Sequence, residues 1–300
     1  MYHNPVLLEA SVEGLIQNHS GIYVDVTFGG GGHSRRILEQ LGEDGRLVAF
    51  DQDPDSAANA PQDSRFQFVA SNFCHLKKFL QYYGAYPVDG ILADLGVSSH
   101  QFDTAERGFS HRMEGRLDMR MNSTNGLTAY QVVNEYPVER LTALFRQYGE
   151  LTEARQIAIL IERSRAKKIE TTTELAEVVA PALPRGKENK VLSQIFQALR
   201  IEVNNELGVL QELLNQSADA LKPGGRLAVI SYHSLEDRLV KNFMKAGNFE
   251  GKVEKDFYGN PLCPFNLVTR KPVVPDEAEI AENPRARSAK LRIAEKKKER

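Results

Sequence analysis

The residues best placed to do chemistry are a glycine turn and a set of acids that end strands. Ile22-Tyr23-Val24-Asp25-Val26-Thr27-Phe28 runs into Gly29-Gly30-Gly31-Gly32-His33. The first run has the β-branched and aromatic character of a buried strand. The four glycines then remove every side chain from the turn, so that backbone N–H groups can approach a ligand closely, with the N-terminus of the next helix behind them. Twenty positions after Gly31, the short strand Leu47-Val48-Ala49-Phe50 ends in Asp51, an acid placed to hold the two hydroxyls of a ribose. Val88-Asp89-Gly90-Ile91-Leu92-Ala93 closes with Asp94 in the same way. Asp25, Asp51 and Asp94 gathered on one rim favour a ligand with cationic or hydroxyl-rich parts over a bare phosphate. The bland alternative is an ordinary strand–turn–helix with a loose glycine loop.

The elements that must position these groups alternate. Ser34–Gln40 follows the turn as a helix, and another begins at Ser56–Ala60. Phe66–Val69 is a short strand, and Phe73–Leu80 is a helix with Phe73, Leu76, Phe79 and Leu80 on one face. This βαβαβαβ order predicts a parallel sheet covered on both faces, with ligands at the carboxyl ends of its strands. The pattern changes after about residue 104. From Glu139 to Arg165 the apolar positions keep helical spacing. Thr171-x-x-Glu174 is a capping box opening Leu175–Ala180, and Val191–Val203 is a further helix. Nearly a hundred residues without a convincing strand predict an inserted helical domain, either a stabilising lid or a recognition domain. The alternation resumes with the helix Glu206–Leu221, the stop Lys222-Pro223-Gly224-Gly225 and the strand Arg226–Ser231. That strand leads into Tyr232 and His233 on a loop at the ligand rim, where a histidine is a stronger functional hint than in a core. Ser234-x-x-Asp237 is a second candidate capping box.

Composition fits a compact soluble enzyme: 41% hydrophobic and 26% charged residues in a chain of 300, enough for a sizeable core in one or two domains. No apolar run approaches a membrane span, and Met1-Tyr2-His3-Asn4-Pro5 lacks the regions of a signal peptide. Cys74 and Cys263 offer neither a disulfide framework nor metal-ligand spacing, and a reducing cytoplasm fits. The formal net charge is −2, yet residues 285–300 carry eight Lys/Arg against Glu295 and Glu299. Such a basic tail is either solvated or a phosphate contact.

The chain resembles the bacterial small-subunit ribosomal RNA cytosine-N4 methyltransferases (the RsmH/MraW family). The resemblance is carried by strings along the whole length: His3-Asn4-Pro5-Val6-Leu7-Leu8, Thr27-Phe28-Gly29-Gly30-Gly31-Gly32-His33-Ser34, Asp94-Leu95-Gly96-Val97-Ser98-Ser99, Arg107-Gly108-Phe109-Ser110 and Leu117-Asp118-Met119-Arg120-Met121. Phe196-Gln197-Ala198-Leu199-Arg200-Ile201, Ser231-Tyr232-His233-Ser234-Leu235-Glu236-Asp237-Arg238 and Asn283–Arg292 continue it. Arg116 departs from the Pro usual before Leu-Asp-Met-Arg-Met, Asn122 from a common acid, and Val26 from a usual Gly.

The resemblance implies an α/β fold: a Rossmann-like S-adenosylmethionine-dependent methyltransferase sheet, residues 1–103 and 204–300, with an all-helical substrate-recognition domain inserted at 104–203. It implies S-adenosylmethionine as donor and, as acceptor, the exocyclic amine of one cytosine in the decoding region of 16S ribosomal RNA, free or in the assembled small subunit. The cofactor contacts it carries over are Gly31, Gly32, His33, Asp51, Phe73, Asp94 and Gln101. A homodimer is compatible with the sequence; no membrane partner is expected.

A sulfonium donor needs neither a metal nor a covalent enzyme intermediate. The obstacle is the N4 lone pair, delocalised into the cytosine ring, so a useful site accepts a hydrogen bond from the amine and aligns it with the methyl group. The Pro-Pro signature of many amino-methyltransferases is absent. Ser98, Tyr232 and His233 are therefore the candidates to hold the amine. The base must be splayed out to be reached, with Arg107, Arg112, Arg116, Arg120, Arg200, Arg285 and Arg287 as candidate RNA contacts. Residues 104–203 hold 15 Lys/Arg against 13 Asp/Glu, so shape and local clusters must carry recognition.

Three rivals make different demands. A nicotinamide oxidoreductase requires G-x-G-x-x-G, and Ser34 stands at the last glycine. A non-enzymatic RNA-binding assembly factor predicts binding indifferent to cofactor. Methylation at C5 requires a cysteine nucleophile, and neither Cys74 nor Cys263 is well placed in the sequence.

Overall fold

The computed structural model of the protein describes residues 5–298. The His3-Asn4 start of the first family string, and Glu299 and Arg300 of the basic tail, lie outside the described residues. The chain forms two compact units, one running up to Gly96 and resuming at Leu207, the other Val97–Glu206.

The first unit begins with α1 (Leu8–Leu15), β1 (Ile22–Asp25), α2 (Gly32–Gln40), β2 (Arg46–Asp51), β3 (Phe66–Ala70), α3 (Leu76–Tyr82) and β4 (Val88–Asp94). The helix expected from Ser56 is a short 3-10 segment, Pro54–Asn59, opened by Asp53, whose carboxylate accepts from the Asp55 N–H. Phe73 likewise lies on a separate 3-10 turn, Phe73–His75, whose Asn72 cap starts it three residues ahead of α3.

In the second unit, α4 (Ser99–Asp103), α5 (Ala129–Glu135), α6 (Val138–Gln147), α7 (Ala154–Ser164), α8 (Thr172–Val179) and α9 (Glu188–Asn204) follow. Among the described residues it holds no strand, only an isolated bridge between Arg116 and Thr171. The periodic stretch 139–165 is two helices, because Glu150 takes a left-handed φ of 51° between them. One core, with Phe145, Ile157, Leu175, Ile195 and Leu199 fully buried, joins α6 through α9. The expected Thr171 capping box is present, with Glu174 as its return partner.

The chain leaves this unit where Asn205, at φ 49°, ends α9, and α10 (Glu206–Ala220), β5 (Leu221–Ser231), α11 (Ser234–Ala246), β6 (Phe265–Leu267), α12 (Glu277–Glu282) and β7 (Lys290–Lys296) follow. The unit seams therefore fall seven residues before Thr104 and three after Val203, set by the Ser98 cap of α4 and by the left-handed Asn205.

The seven strands form one sheet in the order β3-β2-β1-β4-β5-β7-β6. The first five are parallel, and β7 runs antiparallel to both its neighbours. Both faces of the sheet are buried, which is why its strands are near-continuous apolar runs. Val24, Val48, Ile91 and Val229 face a core containing Leu76, Leu213 and Val240. Tyr23, Leu47, Leu92 and Ile230 face the other core, with Leu15 and Ile37.

The basic tail differs from expectation. Lys290–Lys296 is a sheet strand with Leu291, Ile293 and Ala294 buried. Arg292 is held by a pair of hydrogen bonds to Asp237 on α11, at 2.7 and 3.2 Å. Alternating apolar residues between the charges make it a strand, a period that a count of lysines and arginines conceals.

Candidate active site: a glycine turn and three strand-end acids

The glycine turn owes its shape to Gly29, at φ 50°, and to Gly31. Gly31 sits at φ 75° as the N-cap of α2, and a Cβ there would stand 2.8 Å from the Phe28 ring. Only glycine adopts that backbone at little cost while leaving room for Phe28. Gly31 has no side chain with which to cap α2, so the first-turn N–H groups receive no capping oxygen from the N-cap residue. With the helix dipole behind them, those groups suit a carboxylate or hydroxyl ligand. Gly32 opens α2 itself, packed so closely that a Cβ would strike the Pro5 ring at 2.2 Å.

The acids divide by what they already hold. Asp51, at the end of β2, accepts from the Gly29 N–H at 2.7 Å and the Asp53 N–H at 2.8 Å. It thus fixes the turn while ending at the rim, and burial raises its carboxyl above the usual range. Asp25 departs from the expected ligand role. It is buried to 1% exposure and committed to Ser34 Oγ at 2.7 Å and the Thr27 N–H at 3.1 Å, a brace beneath the turn. The serine that disqualifies the nicotinamide motif is thus the partner of Asp25.

Asp94 lies between a tyrosine and a histidine. Its Oδ1 accepts from the Tyr232 hydroxyl at 2.7 Å, and its Oδ2 stands 3.8 Å from Nδ1 of His33. Desolvation pushes its carboxyl up to about 6 against the pull of His33 and Tyr232, with Asp25 and Glu236 adding to the rise. Thr27 Oγ1 accepts from the Asp94 N–H at 2.6 Å, locking the strand end to the turn. His33 is nearly enclosed: Nε2 lies 3.2 Å from the Val6 carbonyl, and burial holds the imidazole below its ordinary pKa. Thr27, Ser34 and buried Glu236, which accepts from the Tyr232 N–H at 2.9 Å, are members of this network that sequence reasoning did not single out. Only their place inside the quoted strings pointed to them.

The loop after β5 also corrects an expectation. His233, rather than Ser234, is the N-cap of α11, and its box partner is Glu236 rather than Asp237. The ring has both nitrogens near Glu236: Nδ1 accepts from its N–H at 3.5 Å, and Nε2 lies 3.1 Å from its Oε1. Asp237 is released to pair with Arg292 and Lys290. Tyr232 stays neutral, because burial and the neighbouring Asp94 carboxylate raise its phenol well above the ordinary value. Phe73 is half-buried at the foot of α3, packed on the core.

In the helical unit, Ser98 and Gln101 form the capping box of α4. Ser98 Oγ accepts from the Gln101 N–H, and Gln101 Oε1 from the Ser98 N–H, each at 3.1 Å. Three candidate RNA arginines are held by protein acceptors. Arg107 donates to the carbonyls of Arg120 and Met121, Arg120 makes a two-point contact with Asp118, and Arg200 does the same with Glu206. Arg112 and Arg116 are exposed, as are Arg285 and Arg287 on the 3-10 turn Pro284–Ser288 of the first unit. A cleft of about 610 Å³ in the helical unit is lined by Glu106, Arg107, Glu114, Arg116, Asp118 and Thr171, among others. Gly108 at its edge has φ 72° and no room for a Cβ, which would sit 2.0 Å from the Arg116 carbonyl.

A sheet in this order, with a reversed β7, a glycine turn after β1 and acids ending β2 and β4, defines a Rossmann-like methyltransferase. The chain belongs to the MraW methylase family, whose model matches residues 1–297. It is similar to the protein named ribosomal RNA small subunit methyltransferase H in Parabacteroides distasonis, 58% identical over 297 residues that cover 98% of this chain and 97% of that one. The protein of the same name in Flavobacterium johnsoniae is 58% identical over 296 residues, 98% of each chain. Among solved structures, an rRNA methylase from Streptococcus thermophilus is similar with a TM-score of 0.42 and 12% identity, covering 97% of this chain and 93% of that one.

Proposed function

We propose that the protein transfers the methyl group of S-adenosylmethionine to the N4 amine of a cytosine in the decoding region of small-subunit ribosomal RNA. The observation that carries the reading is the Gly29–His33 turn flanked by Asp51 and Asp94 on one rim of the sheet. The relatives' name, ribosomal RNA small subunit methyltransferase H, supports the RNA substrate. The choice of cytosine N4 rests on the family resemblance.

The residues fit the donor by their chemistry. Asp51 offers a carboxylate to ribose hydroxyls, the glycine-opened start of α2 offers N–H groups to the methionine carboxylate, and Asp94 offers a negative charge to a cation. Gly31, Gly32 and His33 shape the turn, with Phe73 for the adenine and Gln101 as a further contact. When bound, the donor supplies an electrophilic methyl group that needs no metal.

The chain's own task is to position the amine. Ser98, Tyr232 and His233 are the groups assigned to hold it. Because Tyr232 remains a neutral phenol donating to Asp94, its contribution is to orient, and its oxygen lone pairs are what it can offer as acceptor. The cysteines give no nucleophile for C5 chemistry: Cys263 is buried and burial raises the Cys74 thiol. Exposed Arg112, Arg116, Arg285 and Arg287 are assigned to phosphates; Arg107 and Arg120 would act by shaping their loop and Arg200 by bracing the end of α9. Mass spectrometry of nucleosides from small-subunit ribosomal RNA, in cells with and without the gene, tests the reading. N4-methylated cytosine should disappear on deletion and return with the wild-type gene; its persistence would overturn the proposal.

A further inference from the structure

His33 and Asp94 pose a problem of proton count. Nε2 of His33 lies 3.2 Å from a carbonyl oxygen, that of Val6, which can only accept, so Nε2 must carry a hydrogen. In the neutral ring Nδ1 then has only a lone pair, and it faces Oδ2 of Asp94 at 3.8 Å. A lone pair against a carboxylate is unfavourable in a buried site, and one proton resident on either group relieves it.

The surroundings decide when that proton stays. Asp94 is faced by His33 from α2, Asp25 from β1, Tyr232 from the loop after β5 and Glu236 from α11. Tyr232 supplies one hydrogen bond, whereas Asp25 and Glu236 add like charge within a region from which water is largely excluded. A further negative charge there is costly unless a cation arrives to balance it.

Resting on the reading that S-adenosylmethionine binds at this rim, we propose that Asp94, backed by His33, distinguishes the charged donor from its neutral product. Ionised, Asp94 favours the sulfonium; protonated, it does not. The donor therefore expels that proton to solvent, and S-adenosylhomocysteine, which has a thioether in place of the sulfonium, leaves it in place. The ammonium and carboxylate of the amino-acid moiety are common to both ligands and cancel in the comparison. The discrimination favours release of product in exchange for fresh donor, and it weakens as the pH falls.

Isothermal titration of the wild-type protein with each ligand, from pH 5 to 7 and in two buffers of different ionisation enthalpy, tests this. With Asp94 titrating near 6, the donor dissociation constant should rise about fivefold from pH 6 to pH 5, while that of the product stays within about twofold. At pH 6 donor binding should release roughly half a proton and product binding close to none. Asp94→Asn should lose both the donor preference and its pH dependence. Parallel losses of affinity for the two ligands would show Asp94 reading the shared ammonium, and absence of proton release with the donor would show that no proton is expelled; either overturns the proposal while leaving cofactor binding intact. Failure of both ligands to bind at every pH would overturn the cofactor reading and this inference with it. The wild-type titrations decide the matter even if the variant does not fold.

Discussion

The Tyr232 hydroxyl donates to Asp94 Oδ1 at 2.7 Å, joining the loop after β5 to the end of β4 across neighbouring parallel strands. A hydrogen bond to a charged, desolvated acceptor contributes about 1.5–3 kcal/mol. Tyr232→Phe should therefore weaken donor binding by roughly tenfold or more, as read by titration calorimetry, with a smaller loss of turnover at saturating donor. A collapse of turnover at unchanged donor affinity would instead make the phenol a participant in proton transfer.

That relationship marks what could and could not be read from the chain. Strand ends were legible because β-branched runs closing in Asp25, Asp51 and Asp94 carry a local signal, and Thr171-x-x-Glu174 announces its own helix. The partners of those acids were not legible. Ser34 below Asp25, Thr27 at the Asp94 N–H and Glu236 behind Tyr232 are set by sheet register and packing, neither of which leaves a periodic trace. The helix cap moved from Ser234 to His233 because two S/H-x-x-D/E frames run offset by one residue. Arg292 near Asp237 settles the choice by drawing that acid away. In the same way, β7 was hidden under its charge: the tail holds more cations than any other stretch, yet its apolar alternation places it in the sheet.

His233 caps α11 and is also assigned to the target amine, and two substitutions separate these roles. Loss of an N-cap costs about 1 kcal/mol, whereas serine retains a capping oxygen. His233→Ala should lower the melting temperature by a few degrees, and His233→Ser should restore it. If His233 holds the amine, both variants lose turnover by tenfold or more with donor affinity unchanged. Recovery of turnover together with stability in the serine variant would reduce His233 to a cap.

The arginines of the helical unit should fall into two groups. Arg112 and Arg116 are exposed, so a double Arg112→Ala/Arg116→Ala variant should keep its melting temperature and weaken RNA binding. The slope of log affinity against log salt should fall in magnitude by about 1.5, the loss of two phosphate contacts. Arg120→Ala should behave differently, because it strands the Asp118 carboxylate that Arg120 contacts at 2.9 and 2.7 Å. Its first effect should be a lower melting temperature. Equal salt slopes for the wild type and the double variant would remove Arg112 and Arg116 from the RNA contacts.

Asp94 should cost the ligand-free protein stability. Its carboxyl titrates near 6 in the fold against 3.8 for the free group, so the folded state binds a proton more tightly than the unfolded chain does. The penalty for ionising Asp94 is then fully present above pH 6, shrinks as the pH falls toward 4, and vanishes below. Two pKa units correspond to about 3 kcal/mol. The side chain keeps 23% exposure, and solvent screening should bring the effect to the order of 1–2 kcal/mol. Asp94→Asn should therefore unfold at higher denaturant than wild type at pH 7.5, with the difference closing between pH 6 and pH 4. The lowered pKa of His33 acts with opposite sign in the same range. Asn removes the Asp94 charge that supports the imidazolium, so His33 adds to the closing of the difference below pH 6 and leaves the comparison at pH 7.5 untouched. A variant less stable than wild type at pH 7.5 would mean that the Tyr232 and His33 contacts outweigh the desolvation of the carboxylate, and Asp94 would then be a structural pillar rather than a strained acid held for a cation.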